Sequence, residues 1–132
     1  MVDKMANQVT IKIDLAKYKY VDLDVESALK LLDKIVELLN KKTNDVSEVV
    51  RYIRNFDDFY EYMRKKFKDY IAPPRKPDDF IKGNVVIDKI KLYKEGDEKR
   101  VVLVFDRRVD TALLEKALRE IGFENVGIEK SF

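Results

Sequence analysis

Val101 to Phe105 reads VVLVF, an unbroken apolar run rich in β-branched residues. Such a run fits a strand buried on both faces, with Val101, Leu103 and Phe105 on one and Val102 and Val104 on the other. Something has to cover each side. A sheet with helices on one side only leaves one face wet, so an additional helical segment or a second subunit must cover part of it. Gln8 to Leu15 alternates instead, with Val9, Ile11, Ile13 and Leu15 on one face and Thr10, Lys12 and Asp14 on the other. That strand is wet on one side, so the extra cover is incomplete.

Periodicity places the remaining elements. The stretch AKYKYVDL either extends the first strand or returns as a hairpin. Val25, Ala28, Leu29, Leu32, Ile35, Val36 and Leu39 form a wide helical stripe behind Asp24, an N-cap residue. Asp45 and Glu48 read as the N-cap and third position of a capping box opening a second helical region, which runs to Ile71 and has a break near Asn55. Ala72-Pro73-Pro74 stops it, because proline cannot donate a backbone hydrogen bond. Residues 72–84 then read as one proline-containing loop. Two β-rich runs flank Glu95-Gly96-Asp97, a hairpin turn with glycine where positive φ is needed. Residues 110–123 follow as a helix with a Glu115–Arg119 pair, closed by Gly122 and Phe123 in a Schellman arrangement. NVGIEKSF forms a last short strand. Residues 1–7 read as a disordered start to a single domain spanning 1–132.

The expected class is α+β: an antiparallel sheet of about four strands packed on helices. The order β-α-(α)-β-β-α-β resembles the ferredoxin-like superfold, with a helical insertion at about 45–71. That superfold hosts many functions and implies none. RNA-recognition-motif domains share the element order. In KRVVLVF, however, only Phe105 matches their third-strand pattern; the glycine and the central aromatic are missing, so no base-stacking residue is carried over.

The segment RNFDDFYEYMRKKFKDY concentrates aromatics among charges. On a helix, Val49, Ile53, Phe56, Tyr60, Met63, Phe67 and Tyr70 fall on one stripe, which predicts that Phe56, Tyr60, Met63 and Phe67 are core. Tyr52, Phe59 and Tyr62 broaden it on a flank. Arg54 with Asp58 and Glu61 with Lys65 are spaced for four-apart ion pairs. Between 64 and 76 the cations Arg64, Lys65, Lys66, Lys68, Arg75 and Lys76 face a single acid, Asp69. Lys17 and Lys19 bracket Tyr18, and Lys89 and Lys91 precede Tyr93 on the expected open sheet face.

Whole-chain charge excludes little, since 27 basic and 25 acidic side chains leave +2. Local clustering has to carry any electrostatic argument. No His and no Cys occur, which removes the usual zinc sites and Ser-His or Cys-His nucleophile systems. No Walker loop or dinucleotide fingerprint is present. Pro77-Asp78 followed by Asp97-Glu98-Lys99 resembles the restriction-type nuclease pattern, which implies magnesium-dependent cleavage. The second element falls in a hairpin turn here, not in a strand. No cofactor is expected.

The leading expectation is a small non-enzymatic module that binds nucleic acid, single-stranded DNA or RNA in preference to duplex. Its predicted contacts are Arg64, Lys65, Lys66, Lys68, Arg75, Lys76, Lys89 and Lys91 on phosphates, with Tyr62, Tyr70 and Tyr93 stacking on bases. The alternative is an interaction or assembly subunit, homodimeric and of viral origin. High charge with no Cys and one Gln is associated with thermophilic, archaeal proteins. The polar start does not resemble a signal peptide, and no apolar run approaches the length of a membrane span, about 18 residues. A cytoplasmic protein without a membrane partner is expected.

Overall fold

Ile11, Val21, Leu103 and Phe105, all without solvent exposure, sit on one face of a sheet and set the plan of the molecule. The computed structural model describes residues 8–131, so the reading of 1–7 as disordered lies outside the described residues. Its elements in chain order are β1 Gln8–Ile13, β2 Lys19–Asp24, α1 Val25–Leu39, α2 Asn44–Arg54, α3 Phe56–Lys65, α4 Pro77–Ile81, β3 Ile87–Glu95, β4 Glu98–Phe105, α5 Thr111–Glu120 and β5 Asn125–Lys130.

The chain is α+β, with a five-stranded sheet ordered β3-β4-β2-β1-β5. The expected sheet of about four antiparallel strands needs correction. AKYKYVDL turns back, with Lys17 at φ 75°, so β1 and β2 form a hairpin and add a strand. β1 is interposed between β2 and β5, and β5 runs parallel to β1. The sheet is therefore mixed, and its order is not the four-strand ferredoxin-like one.

Helices α1, α2, α3 and α5 pack on one face. Their apolar stripes join Val9, Ile11, Ile13, Val21, Leu23, Val101, Leu103 and Phe105 in one buried cluster. Asp24 caps α1 by accepting from Ser27 N at 3.2 Å, as the sequence predicts. α5 ends as expected too: Phe123 N donates to Leu118 O and Gly122 N to Arg119 O, with Gly122 at φ 121°. Val49, Ile53, Phe56 and Met63 belong to the same cluster as the helix-side strand residues. The inserted helices thus widen the helix layer instead of covering the opposite face. On that opposite face Val104 is nonetheless fully buried, between its cross-strand neighbours Tyr20 and Lys89.

Asp45 is not the N-cap of α2. Thr43 holds that position, and Asp45 lies two residues further on, within the first turn, buried to 1% exposure. Its carboxylate accepts from Val86 N at 2.6 Å, Ile87 N at 2.9 Å and Val46 N at 2.8 Å. The Thr43 hydroxyl also donates to it. One side chain thereby ties the start of the insertion to the start of β3. A four-donor shell of this kind is what allows a carboxylate to be buried.

The insertion differs from its prediction in three further ways. The break at Asn55 separates α2 from α3, so Arg54 and Asp58 are not on one helix; within these two helices the described ion pairs are Arg51–Glu48 at 3.0 Å and Arg64–Glu61 at 3.5 Å. α3 ends at Lys65, short of Ile71. The stretch 72–84 is not all loop, because Pro77 starts α4 and Lys76 N donates to Asp79 Oδ2. Ile71 exchanges two backbone hydrogen bonds with Ile90, each 2.9 Å, laying the chain along the outer edge of β3.

Candidate nucleic-acid interface

The C-terminal end of α3 supplies the most exposed part of the predicted surface. Lys66 is the C-cap, Phe67 N donates to Arg64 O and Lys68 N to Met63 O. This is the Schellman pattern, which places the next residue in the left-handed region and is usually filled by glycine. Here that residue is Phe67, at φ 52° and 97% exposed. The prediction that Phe67 is core is wrong. Its stripe-mates Phe56 and Met63 are buried and Tyr60 is half-buried, but the helix stops at Lys65 and Phe67 lies two residues past its end. Of the flank aromatics, Tyr52 is buried, Phe59 is half-buried and Tyr62 is 41% exposed.

The predicted cations divide into three groups. Lys65, Lys66 and Lys68 surround Phe67 in sequence, are exposed, and make no ion pair among the described residues. Lys68 Nζ lies 6.0 Å from the Tyr62 ring centre. Arg64 is exposed but shared between Glu61 and the Tyr60 ring at 5.9 Å. Their place at the negative end of a helix dipole accounts for part of this clustering.

A second group lies where the chain meets β3. Lys89 Nζ stands 4.6 Å from the centre of the half-buried Tyr70 ring. Arg75 is turned inward: Nη2 donates to Asp88 O at 2.6 Å, and the side chain is only 12% exposed. Lys76 is exposed at the start of α4. Structure brings Tyr70 and Lys89 together and takes Arg75 out of the surface.

The third group, on the open sheet face, is already engaged. Lys91 Nζ is 5.8 Å from the Tyr93 ring, and the Tyr93 hydroxyl donates to Asp22, which also takes Arg100 Nη2 at 3.2 Å. Burial, then the Asp22 hydrogen bond, raises the Tyr93 pKa. Beside it lies a depression of about 350 Å³ lined by Thr10, Lys12, Asp14, Tyr20, Asp22, Val102 and Ser131. Carboxylates on this face oppose a phosphate chain. Lys19, one of the pair around Tyr18, faces the core; its Nζ donates to Arg107 O at 2.7 Å, and burial lowers its pKa against the pull of Asp106 and Asp110. Phe105 is fully buried on the helix side, so it offers no stacking surface.

The N-terminal end of α3 borders an acidic region. A bowl of about 840 Å³ is lined by Asp24, Glu26, Asp57, Asp58, Asp97 and Glu98 together with Arg54, Lys99 and apolar residues. Asp97, Glu98 and Lys99 of the nuclease-like pattern are at its rim, while Asp78 is on α4 and does not line it. Among the described residues no three His, Cys, Asp or Glu side chains converge into a set that could hold a metal ion. Nor is any described helix long and apolar enough to cross a membrane.

Comparison with known protein families, with curated proteins and with solved structures finds no match in any of the three. Function is therefore argued from this surface. What the sequence reading missed is Phe67 as its centre. The available signal was local: in RKKFKDY the aromatic has lysines on both sides, a poor context for a buried stripe.

Proposed function

We propose that this protein is a non-enzymatic module that binds single-stranded nucleic acid through the end of α3, with Phe67 and Tyr62 stacking on bases and Lys65, Lys66 and Lys68 contacting phosphates. The observation that carries the reading is Phe67 itself. A bulky residue held at positive φ costs stability, about 1–2 kcal/mol relative to the ordinary backbone regions. The ring recovers none of that through burial, because it is almost wholly in solvent. A base stacked on the ring would recover it, at about 1–3 kcal/mol per stack.

Arrangement favours a single strand over a duplex. The ring projects from a helix end with unpaired cations beside it, which suits unstacked bases and a flexible backbone. Tyr70 with Lys89 extends the track toward β3. Tyr93 and Lys91 are left out, since Asp22 holds the tyrosine hydroxyl and brings negative charge to that face.

Titration of fluorescently labelled single-stranded DNA and RNA at two salt concentrations tests this. Binding should weaken steeply with salt, and replacing Lys65, Lys66 and Lys68 by Gln should flatten the slope of log K against log salt by about 2. No binding at low salt would end the proposal.

A further inference from the structure

β5 is the outer strand of the sheet, and among the described residues no other strand lies beyond it. The direction of its backbone can be read from Ser131 N, which donates to Ile13 O at 2.9 Å. Residues two apart on a strand share a direction, so Asn125, Gly127 and Glu129 turn their N–H and C=O groups toward β1. Val126, Ile128 and Lys130 turn theirs outward. The strand has no proline and pairs with β1 in unbroken register from Gln8↔Asn125 to Ile13↔Lys130, so among the described residues neither a proline nor a bulge interrupts the edge.

We infer that β5 pairs with β5 of a second copy of this chain, antiparallel, about a two-fold axis through Ile128. The inference is independent of nucleic-acid binding. In that register every outward-turned residue meets an outward-turned residue: Ile128 meets its own copy, and Val126 meets Lys130 on each side. Antiparallel partners of this kind exchange both hydrogen bonds, so all the unpaired edge groups are satisfied. The side chains match as well. Val126, Ile128 and Lys130 pair with Val9, Ile11 and Ile13 of β1 and so share the helix-side face, where Ile128 is still 47% exposed. The two-fold covers one Ile128 with the other and lays the Lys130 stem along Val126. On the open face Glu129 stands opposite Gly127, which has no side chain to oppose it. No like charges face each other, as an antiparallel pair requires. The result is a closed, isologous dimer with one continuous sheet. Its two β3 edges lie about 43 Å apart along that sheet, at the strand spacing of about 4.8 Å.

Analytical ultracentrifugation of the full chain without nucleic acid, over a concentration series, tests the inference. The expected result is a dimer, weakened at least about tenfold in Ile128→Asp, which sets two carboxylates against each other on the axis. Ile128→Pro removes only an outward N–H and should also give a monomer while leaving the β1 ladder and the thermal unfolding curve nearly unchanged. Amide exchange by NMR fixes the register and needs no variant: the N–H groups of Val126, Ile128 and Lys130 should be protected in the unmodified protein. A monomer at every concentration overturns the inference. So does a dimer that Ile128→Asp leaves intact, or fast exchange at those three amides.

Discussion

At the β3 edge of the sheet, Ile71 exchanges two backbone hydrogen bonds with Ile90, and the register slips between Ile87 and Lys89. A buried carboxylate, Asp45, grips the strand where it begins. At the β5 edge none of these devices is found among the described residues, and the strand is solvent-exposed along most of its length. Natural sheets blunt the edges that must stay single, and leave open those that pair. The inserted segment between α1 and β3 is therefore more than extra core. It ties down the first part of one edge, from Val86 to Ile90, and it presents Phe67 with its lysines to solvent four residues before Ile71.

Breaking the covered side should have the largest effect. Asp45→Ala leaves the N–H groups of Val86 and Ile87 buried without an acceptor, and should destabilise the fold by about 3 kcal/mol or more in urea-induced unfolding. Asp45→Asn keeps an acceptor and should cost less. A loss under about 1 kcal/mol for the alanine variant would mean that the edge is held by packing alone. The exposed aromatic comes next. Phe67→Ala should weaken single-strand binding by about 1–3 kcal/mol, roughly 5- to 150-fold, with little change in fold stability. Ile128→Asp, on the open edge, should leave the binding of a short oligonucleotide unchanged, which separates the roles of the two edges.

The smallest effect concerns Tyr20, between those edges. Burial, then its hydrogen bond to Asp14 at 3.1 Å, pushes its pKa up to about 12. The ordinary value is about 10. Because the folded-state value is the higher one, the folded state holds the proton longer. Its contribution is complete below about pH 10 and is lost as pH rises through about 12. Tyr20→Phe should remove that part of the alkaline decline, measured as the difference in unfolding midpoint between the two proteins across this window.

The regular elements were legible in the sequence because local signals set them. Asp24 before a wide stripe marked α1, Gly122 marked the end of α5, and Gly96 marked the β3–β4 turn. The sheet order was not legible. Whether Ala16 to Leu23 extended β1 or reversed it depended on a turn with Lys17 at positive φ, a position that sequence preference assigns to glycine or asparagine. Asp45 misled for a related reason: its spacing to Glu48 fits a cap, yet its partners lie more than forty residues away in the chain. Phe67 has the same root. A helical stripe counts residues, but where the helix stops decides which of them reach the core. The cations of the candidate surface were all named, and only the fold could sort Lys65, Lys66 and Lys68, free of ion pairs among the described residues, from the inward Arg75.

One substitution separates a strained aromatic kept for binding from one without a role. Phe67→Gly relieves the positive φ at a position where glycine is the usual residue. Unfolding and single-strand titration should be measured on the same preparation. The account predicts a gain in stability of about 1 kcal/mol together with affinity lowered at least about fivefold. A variant that is more stable and binds as tightly as the unmodified protein would contradict it.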